Sequence, residues 1–154
     1  MSTWSLVTVL ACAHLAAIPQ DGALATRQRL LHEHPTLVSM FEQSNALRRQ
    51  YGLPDQRVSP YLTQIAQRHA EWMANTGSFA HNYQHPYPEI IYWNARSIPD
   101  AFQGWMNSGP HRSIILSGTQ SVGYGYAVGP NGQTYWCGVF ASIQEPATVG
   151  ADGT

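Results

Sequence analysis

SIPDAFQGWMNSGPHRSIIL, residues 97–116, is the stretch that decides the fold. Its first half has apolar residues at helical spacing, which predicts an amphipathic helix with one face on a core; these residues are Ile98, Ala101, Phe102, Trp105 and Met106. Ser97, followed three residues later by Asp100, is typical of a helix N-terminus.

The second half of this stretch predicts a break between two helices. Gly109 and Pro110 are expected to stop the first helix, and a second short helical turn is expected over residues 112–116. His111 is then expected at the break. A side chain at such a position can point into a cleft while its neighbours pack, so His111 is a candidate functional residue.

Two longer helices are predicted upstream. Pro35 and Thr36 favour a helix to about residue 50, in which Asn45 and Arg48 are interpreted as part of a solvated polar face. A second helix is predicted from about residue 61 to 76 and ends at Gly77. Its apolar face includes His69, which is therefore interpreted as a hydrogen-bonded core histidine rather than a ligand.

A loop and a short strand separate these helices from the 97–116 stretch. Pro86 and Pro88 exclude a helix, and the apolar, aromatic run over residues 89–93 predicts a buried strand. The strand opens with Glu89, and a buried carboxylate needs a polar partner. His81 and His85 precede it on the loop and are candidate partners.

The segment SVGYGYAVGPNGQTYWCGVFAS, residues 121–142, predicts a β-hairpin. Large side chains alternate with Gly123, Gly125 and Ala127 along its first strand, so one face of that strand is nearly bare. Such a face allows a helix or another chain to approach the sheet closely. A protein partner or self-assembly through this Gly-rich sheet face is therefore one hypothesis.

Composition limits the classes of function. The 154 residues suit one domain, with 44% hydrophobic residues for a core and a net charge of only -1. This charge gives no electrostatic reason to expect nucleic acid or an acidic membrane as a partner. The two cysteines do not make a disulfide framework; Cys137 is interpreted as a buried, inert thiol, although a bridge to Cys12 stays open.

Three regions are predicted along the chain: residues 1–35, 36–145 and 146–154. The first is either a helical arm or a degenerate signal or anchor segment, since its apolar run is too short to cross a bilayer and no Lys or Arg precedes it. The middle region is the folded domain, and the last is a flexible tail. No transmembrane span is expected.

The element order of helix, helix, strand, helix, short helix and hairpin predicts an α+β fold, with a small antiparallel sheet flanked by helices. The chain also resembles the CAP superfamily, the SCP-like domains named for cysteine-rich secretory proteins, antigen 5 and pathogenesis-related 1 proteins, in its short, cysteine-poor bacterial branch. The resemblance covers about residues 39–143 and is carried in order by Asn45-x-x-Arg48, AQRHAEWMA (66–74), His81, Glu89-Ile90-Ile91, Trp105-x-x-Ser108-x-x-His111-Arg112, VGYGYA (122–127) and YWCGVF (135–140).

The resemblance implies an α-β-α sandwich with a cleft over the sheet that holds a divalent metal, often zinc, in some members. By position it makes His81 the first histidine of that cleft, His111 the second, and Glu89 a glutamate. Two departures are expected to weaken the metal site: residues 88–91 read PEII where the family has GENI, and Ser108 stands where many members carry a second glutamate.

Three functions remain open at this stage. The first is an extracellular or surface binding module for a lipid, glycan, peptide or protein, and this reading is favoured over catalysis. The second is a metal-assisted hydrolase of peptide or cell-wall material, with Glu89, Ser108 and His111 as candidate catalytic residues. The third is an assembly subunit of a virus particle or surface appendage that uses the N-terminal arm. A purely structural role for the three polar residues is an equally weighted alternative to metal binding.

Overall fold

The protein was analysed as a computed structural model, which describes residues 34–144. In this range the elements in chain order are α1 (Pro35–Gln50), β1 (Arg57–Val58), α2 (Pro60–Thr76), β2 (Glu89–Trp93), α3 (Ile98–Asn107), α4 (Gly109–Ile115), β3 (Ser121–Val128) and β4 (Thr134–Ala141). Both long helices, the short strand and the hairpin lie where the sequence predicts them.

The four strands form one sheet in the order β1-β3-β4-β2. β3 and β4 are the predicted hairpin, and β2 pairs antiparallel with β4. β1 pairs parallel with β3 through Arg57 opposite Ser121 and Val58 opposite Val122. β1 was not predicted, because two residues in a turn-rich connector are too few to show a periodicity.

Helices cover both faces of the sheet. On one face α2 packs its apolar stripe on alternate residues of β2 and β4, and the buried cluster comprises Leu62, Ala66, Ala70, Met73, Ala74, Ile91, Tyr135, Cys137, Val139 and Ala141. On the other face α1, α3 and α4 enclose a cluster that includes Leu37, Met40, Phe102, Trp105, Ile115, Tyr124 and Phe140. This arrangement confirms the predicted α-β-α sandwich.

The Gly-rich face of β3 is covered by α2. A Cβ atom on Gly123 would lie 2.6 Å from the carbonyl oxygen of Leu62, and one on Gly125 would lie 2.5 Å from the backbone nitrogen of Gln67. Both glycines are buried. The hypothesis that this sheet face receives a partner or a second copy is therefore wrong, because the chain's own helix occupies it.

The break between α3 and α4 differs in detail from the prediction. Ser97 caps α3 as expected, accepting a hydrogen bond from the Asp100 N–H at 3.3 Å. The chain leaves the helical conformation at Ser108, with φ -94° and ψ 117°, and α4 already begins at Gly109. Pro110 thus lies in the first turn of a helix, where its missing N–H costs nothing, and it does not end the preceding one. His111 belongs to this first turn.

The interpretation of Asn45 and Arg48 as a solvated face is wrong, because their relative exposures are 4% and 1%. Asn45 donates to the Gln56 carbonyl at 3.0 Å and accepts from the Gln56 N–H at 2.9 Å. Arg48 donates to three backbone carbonyls, those of Pro54, Ile115 and Ser117. These bonds fasten two connecting segments to α1.

The predictions for the N-terminal arm, the C-terminal tail and Cys12 lie outside the described residues, apart from residues 34 and 35 at the start of α1. Cys137 is a buried free thiol. None of the helices within residues 34–144 is long and apolar enough to cross a bilayer.

Candidate functional site

Glu89 is the centre of the polar cluster at the start of β2. Its side chain is only 5% exposed. One carboxylate oxygen, Oε1, accepts hydrogen bonds from His81 Nδ1 at 2.8 Å and from the Asn82 N–H at 2.9 Å. The expected partner of the buried carboxylate is therefore the preceding loop, which Glu89 holds against the sheet.

His81 and His111 lie next to each other although one is on the loop and the other on α4. Their ring centres are 6.3 Å apart and their planes are inclined by 56°. Because a carboxylate only accepts hydrogen bonds, His81 Nδ1 carries the hydrogen directed at Glu89, and Nε2 is the ring nitrogen that this bond leaves for a ligand. The His81 side chain is 39% exposed, so this pair is accessible from solvent.

Partial burial lowers the pKa of His111 below its ordinary value of 6.5, and the adjacent His81 lowers this pKa further. Desolvation and a neighbouring group that can carry the same charge each disfavour the protonated imidazole, so both lower its pKa. At neutral pH His111 is therefore an uncharged ring with a free lone pair, which suits either ligand hydrogen bonding or metal coordination.

Two further histidines surround Glu89. His69 Nε2 donates to the Ala80 carbonyl at 2.8 Å and lies 3.8 Å from Glu89 Oε1, so it is the hydrogen-bonded core histidine that the sequence predicts. His85 Nε2 lies 3.4 Å from Glu89 Oε2. The contact is not aligned as a hydrogen bond, and neither buried ring nitrogen of His85 has a partner among the described residues.

Cys137 closes the apolar side of the cluster. Its thiol is fully buried and contacts Glu89 Oε2 at 3.7 Å. Burial, with the neighbouring carboxylate, raises the pKa of this thiol well above its ordinary value. Cys137 is therefore a packed, protonated thiol and not a nucleophile, as the sequence predicts.

Ser108 is not joined to the histidine pair by any hydrogen bond within residues 34–144. It is the N-cap residue of α4, but its side chain makes no capping hydrogen bond. A serine nucleophile needs a base within hydrogen-bonding reach. A Ser-His-Glu triad of Ser108, His111 and Glu89 is therefore not formed among the described residues, because Ser108 has no hydrogen bond to His111 and Glu89 accepts from His81 instead.

Whether a metal ion fits this cluster depends on the number and the spacing of the side chains that could bind it. Two imidazoles on one tetrahedral zinc ion have ring centres about 5 Å apart, since zinc-nitrogen bonds are about 2.0 Å. The observed 6.3 Å requires only a small approach of His81 and His111. Among residues 34–144, however, no group of three or more His, Cys, Asp or Glu side chains is placed to hold a metal ion. Zinc binding stays a prediction, with two histidines as the available ligands.

A groove of about 590 Å³ opens beside the cleft, between α2 and the loop. It shares His81 with the cleft and is lined on the helix side by Tyr61, Ile65, Arg68 and Trp72. This groove was not predicted from the sequence. The available signal was the i, i+4, i+7, i+11 spacing of these four residues, which places them on one face of α2, beside the apolar stripe that predicted the helix.

The fold and the cluster together define a class of protein: a small α-β-α sandwich in which a loop histidine lies between a helix histidine and a strand glutamate. The family described as CAP, the cysteine-rich secretory protein family, matches residues 41–140, about two thirds of the chain. The chain belongs to this family, and the resemblance seen in the sequence is confirmed.

Solved structures share the fold at low sequence identity. An outer surface protein from Borrelia burgdorferi superposes with a TM-score of 0.61 at 13% identity, covering 68% of this chain and 90% of that one. A cysteine-rich secretory protein from Staphylococcus aureus superposes with a TM-score of 0.56 at 22% identity, and the match covers 70% of this chain and 39% of that protein. An extracellular protein with an SCP domain from Bacillus anthracis superposes with a TM-score of 0.58 at 19% identity, and the match covers 69% of this chain and 40% of that protein.

The chain therefore spans about two fifths of the length of the last two proteins. Among curated proteins, none matches the sequence.

Proposed function

We propose that this chain is an extracellular CAP-domain binding module whose ligand contacts the cleft formed by His81, His111 and Glu89. One observation carries the proposal: Glu89 fixes His81 at 2.8 Å while the His81 ring remains 39% exposed beside His111. A purely structural network would bury both rings. Here the buried carboxylate instead orients an accessible imidazole, as carboxylates do for the ligand histidines of metal sites.

Binding is favoured over catalysis because the cluster offers no activated nucleophile. The Cys137 thiol is buried with a raised pKa. Ser108 has no hydrogen bond to either histidine of the cleft in the described part of the chain. The remaining groups, two imidazoles and an orienting carboxylate, can form hydrogen bonds to a ligand without any covalent step.

The proposal includes a divalent cation such as zinc, with His81 Nε2 and His111 as its protein ligands. Glu89 would act through His81, because Oε1 already accepts two hydrogen bonds. This is the carboxylate–histidine pattern that raises the basicity of a metal-bound imidazole. With only two protein ligands, open positions would remain for oxygen atoms of the bound partner, and the cation would supply an electrophilic contact there.

The extracellular part of the proposal is supported by the structural relatives, which are an outer surface protein, a secretory protein and an extracellular protein. Fractionation of the producing cells with an antibody against this chain tests it. We expect the protein in the medium or accessible to protease on intact cells, and recovery only from the cytosol would contradict this location.

Calorimetric titration with zinc tests the cleft. We expect saturable binding at neutral pH that is lost in His111→Ala and weakens at mildly acidic pH, since protonated imidazoles do not coordinate metal. His34→Ala is the matched control because His34 is exposed, precedes α1 and belongs to neither the histidine pair nor the groove. Equal zinc binding by wild type and His111→Ala would rule out the cation site.

A further inference from the structure

The groove beside the cleft is built for an elongated ligand. Tyr61, Ile65, Arg68 and Trp72 line it along α2, and Asn82, Tyr83 and Gln84 line it on the loop. At a rise of 1.5 Å per residue, the four helical positions extend over about 16 Å. This length exceeds a single sugar ring or amino acid, so the groove can contact several units of a chain-like ligand.

The aromatic rings of the groove are held in place before any ligand binds. Trp72 is 45% exposed, and its ring stacks on His69 with centres 5.4 Å apart and planes inclined by 11°. His69 is fixed in turn by its bond to the Ala80 carbonyl. Tyr61 is 46% exposed and packs edge-on against Tyr87 at 6.2 Å. Fixed platforms lower the entropy cost of binding.

The charge of the groove is unbalanced. Arg68 lines it, whereas no Asp or Glu does. The Arg68 guanidinium makes no hydrogen bond or ion pair with another residue of the 34–144 range. Glu71 follows on the same helix, but it accepts its bond from Gln67 at 3.0 Å. An anionic group on the ligand would supply the missing partner, because a guanidinium pairs with a carboxylate through two parallel hydrogen bonds.

From these features we infer that the groove binds an acidic oligosaccharide, whose sugar rings stack on Tyr61 and Trp72 and whose carboxylate pairs with Arg68. The side-chain amides of Asn82 and Gln84 suit the sugar hydroxyls, since each amide donates and accepts. An extended acidic peptide fits less well, because extended peptides typically add to a strand edge and acidic motifs bind clusters of Arg, whereas the groove walls are a helix and a loop with the single Arg68. The inference rests on the proposed binding function and names its ligand class.

Calorimetry on the full chain tests the inference with uronic acid hexasaccharides from pectin, alginate and hyaluronan as probes. We expect at least one to bind, and Trp72→Ala to weaken that binding about tenfold or more, as for a buried aromatic contact. Arg68→Gln should weaken it at low salt but leave any binding of the neutral cellohexaose unchanged. Trp93→Ala and Arg96→Gln are matched controls, because these residues are 45% and 93% exposed outside the groove.

The inference is overturned if none of the three hexasaccharides binds, or if Trp93→Ala weakens binding as much as Trp72→Ala. Binding of hexaglutamate that depends on Trp72, with no saccharide binding, would assign the groove to an acidic peptide instead. Circular dichroism of each variant verifies that it is folded. Zinc binding without saccharide binding would leave the proposed cleft function intact and remove only this inference, since His111 does not line the groove.

Discussion

Replacing Gly125 with alanine tests the way α2 is seated on the sheet. The added Cβ would lie 2.5 Å from Gln67 N and closer still to the Ala66 carbonyl group. Favourable contacts between carbon and other heavy atoms lie at about 3.5–4.0 Å, so the helix must move away by about 1 Å or more. Both neighbours are backbone atoms of a buried helix and cannot rotate aside as a side chain can.

The expected cost follows from this overlap. Overpacking a core costs about 1–3 kcal/mol, and contact with backbone on both sides places Gly125→Ala near the upper end. For a chain of this size, about 3 kcal/mol corresponds to a fall in the melting temperature of roughly 10 °C. Because α2 also carries His69, Arg68 and Trp72, its displacement should weaken ligand binding in the groove as well.

Urea unfolding followed by tryptophan fluorescence measures the change in the free energy of unfolding. Gly118→Ala is the control, because a Cβ at Gly118 meets nothing within 4 Å and should change the stability by less than about 1 kcal/mol. If Gly125→Ala unfolds at the same urea concentration as the wild type, the close approach of α2 to β3 is refuted.

Three further predictions concern single side chains. Arg48→Ala should lower the free energy of unfolding by about 2–3 kcal/mol in urea, since three carbonyls lose their donor, and an unchanged midpoint would contradict this. NMR titration in metal-free buffer should give His111 a pKa below 6.5 that rises in His81→Ala, because a repelling neighbour is removed. The folded state then binds fewer protons than the unfolded state, so stability should fall as the pH drops from 6.5 through the folded pKa, and His111→Gln should reduce this fall. In a Cys12→Ser background, iodoacetamide should label Cys137 only after unfolding, and labelling of the native protein at pH 8 would contradict its burial.

Much of the candidate site was predictable from sequence order. A carboxylate that opens an apolar strand must be satisfied, which pointed to the histidines just before Glu89. The bond from His81 needed no long-range information, because only a short loop separates the two residues. The pairing of His81 with His111 followed from the family resemblance alone, since nothing in local periodicity relates residues 30 positions apart.

Other features could not be read from the sequence because they depend on contacts between distant segments. From the sequence, Asn45 and Arg48 are polar residues of a helix and are expected to be solvated. In the structure the connectors at residues 54–56 and 115–117 cover them. The bare face of β3 was recognised, but a sequence cannot say whether another molecule or the chain's own α2 covers it.

The sequence by itself determined the two long helices, the helix that follows Ser97, the strand that begins at Glu89 and the hairpin, because apolar periodicity and the Ser97 and Gly77 signals act over a few residues; β1 and the start of α4 were not predicted. It also determined that Glu89 needs a polar partner. Only the tertiary structure decided which faces are open. Burial depends on which surfaces pack against each other, so the sequence of α2 does not show which of its faces is core and which is groove. In the structure the loop of residues 81–85 lies beside α2, and Tyr61, Arg68 and Trp72 line the accessible groove between them.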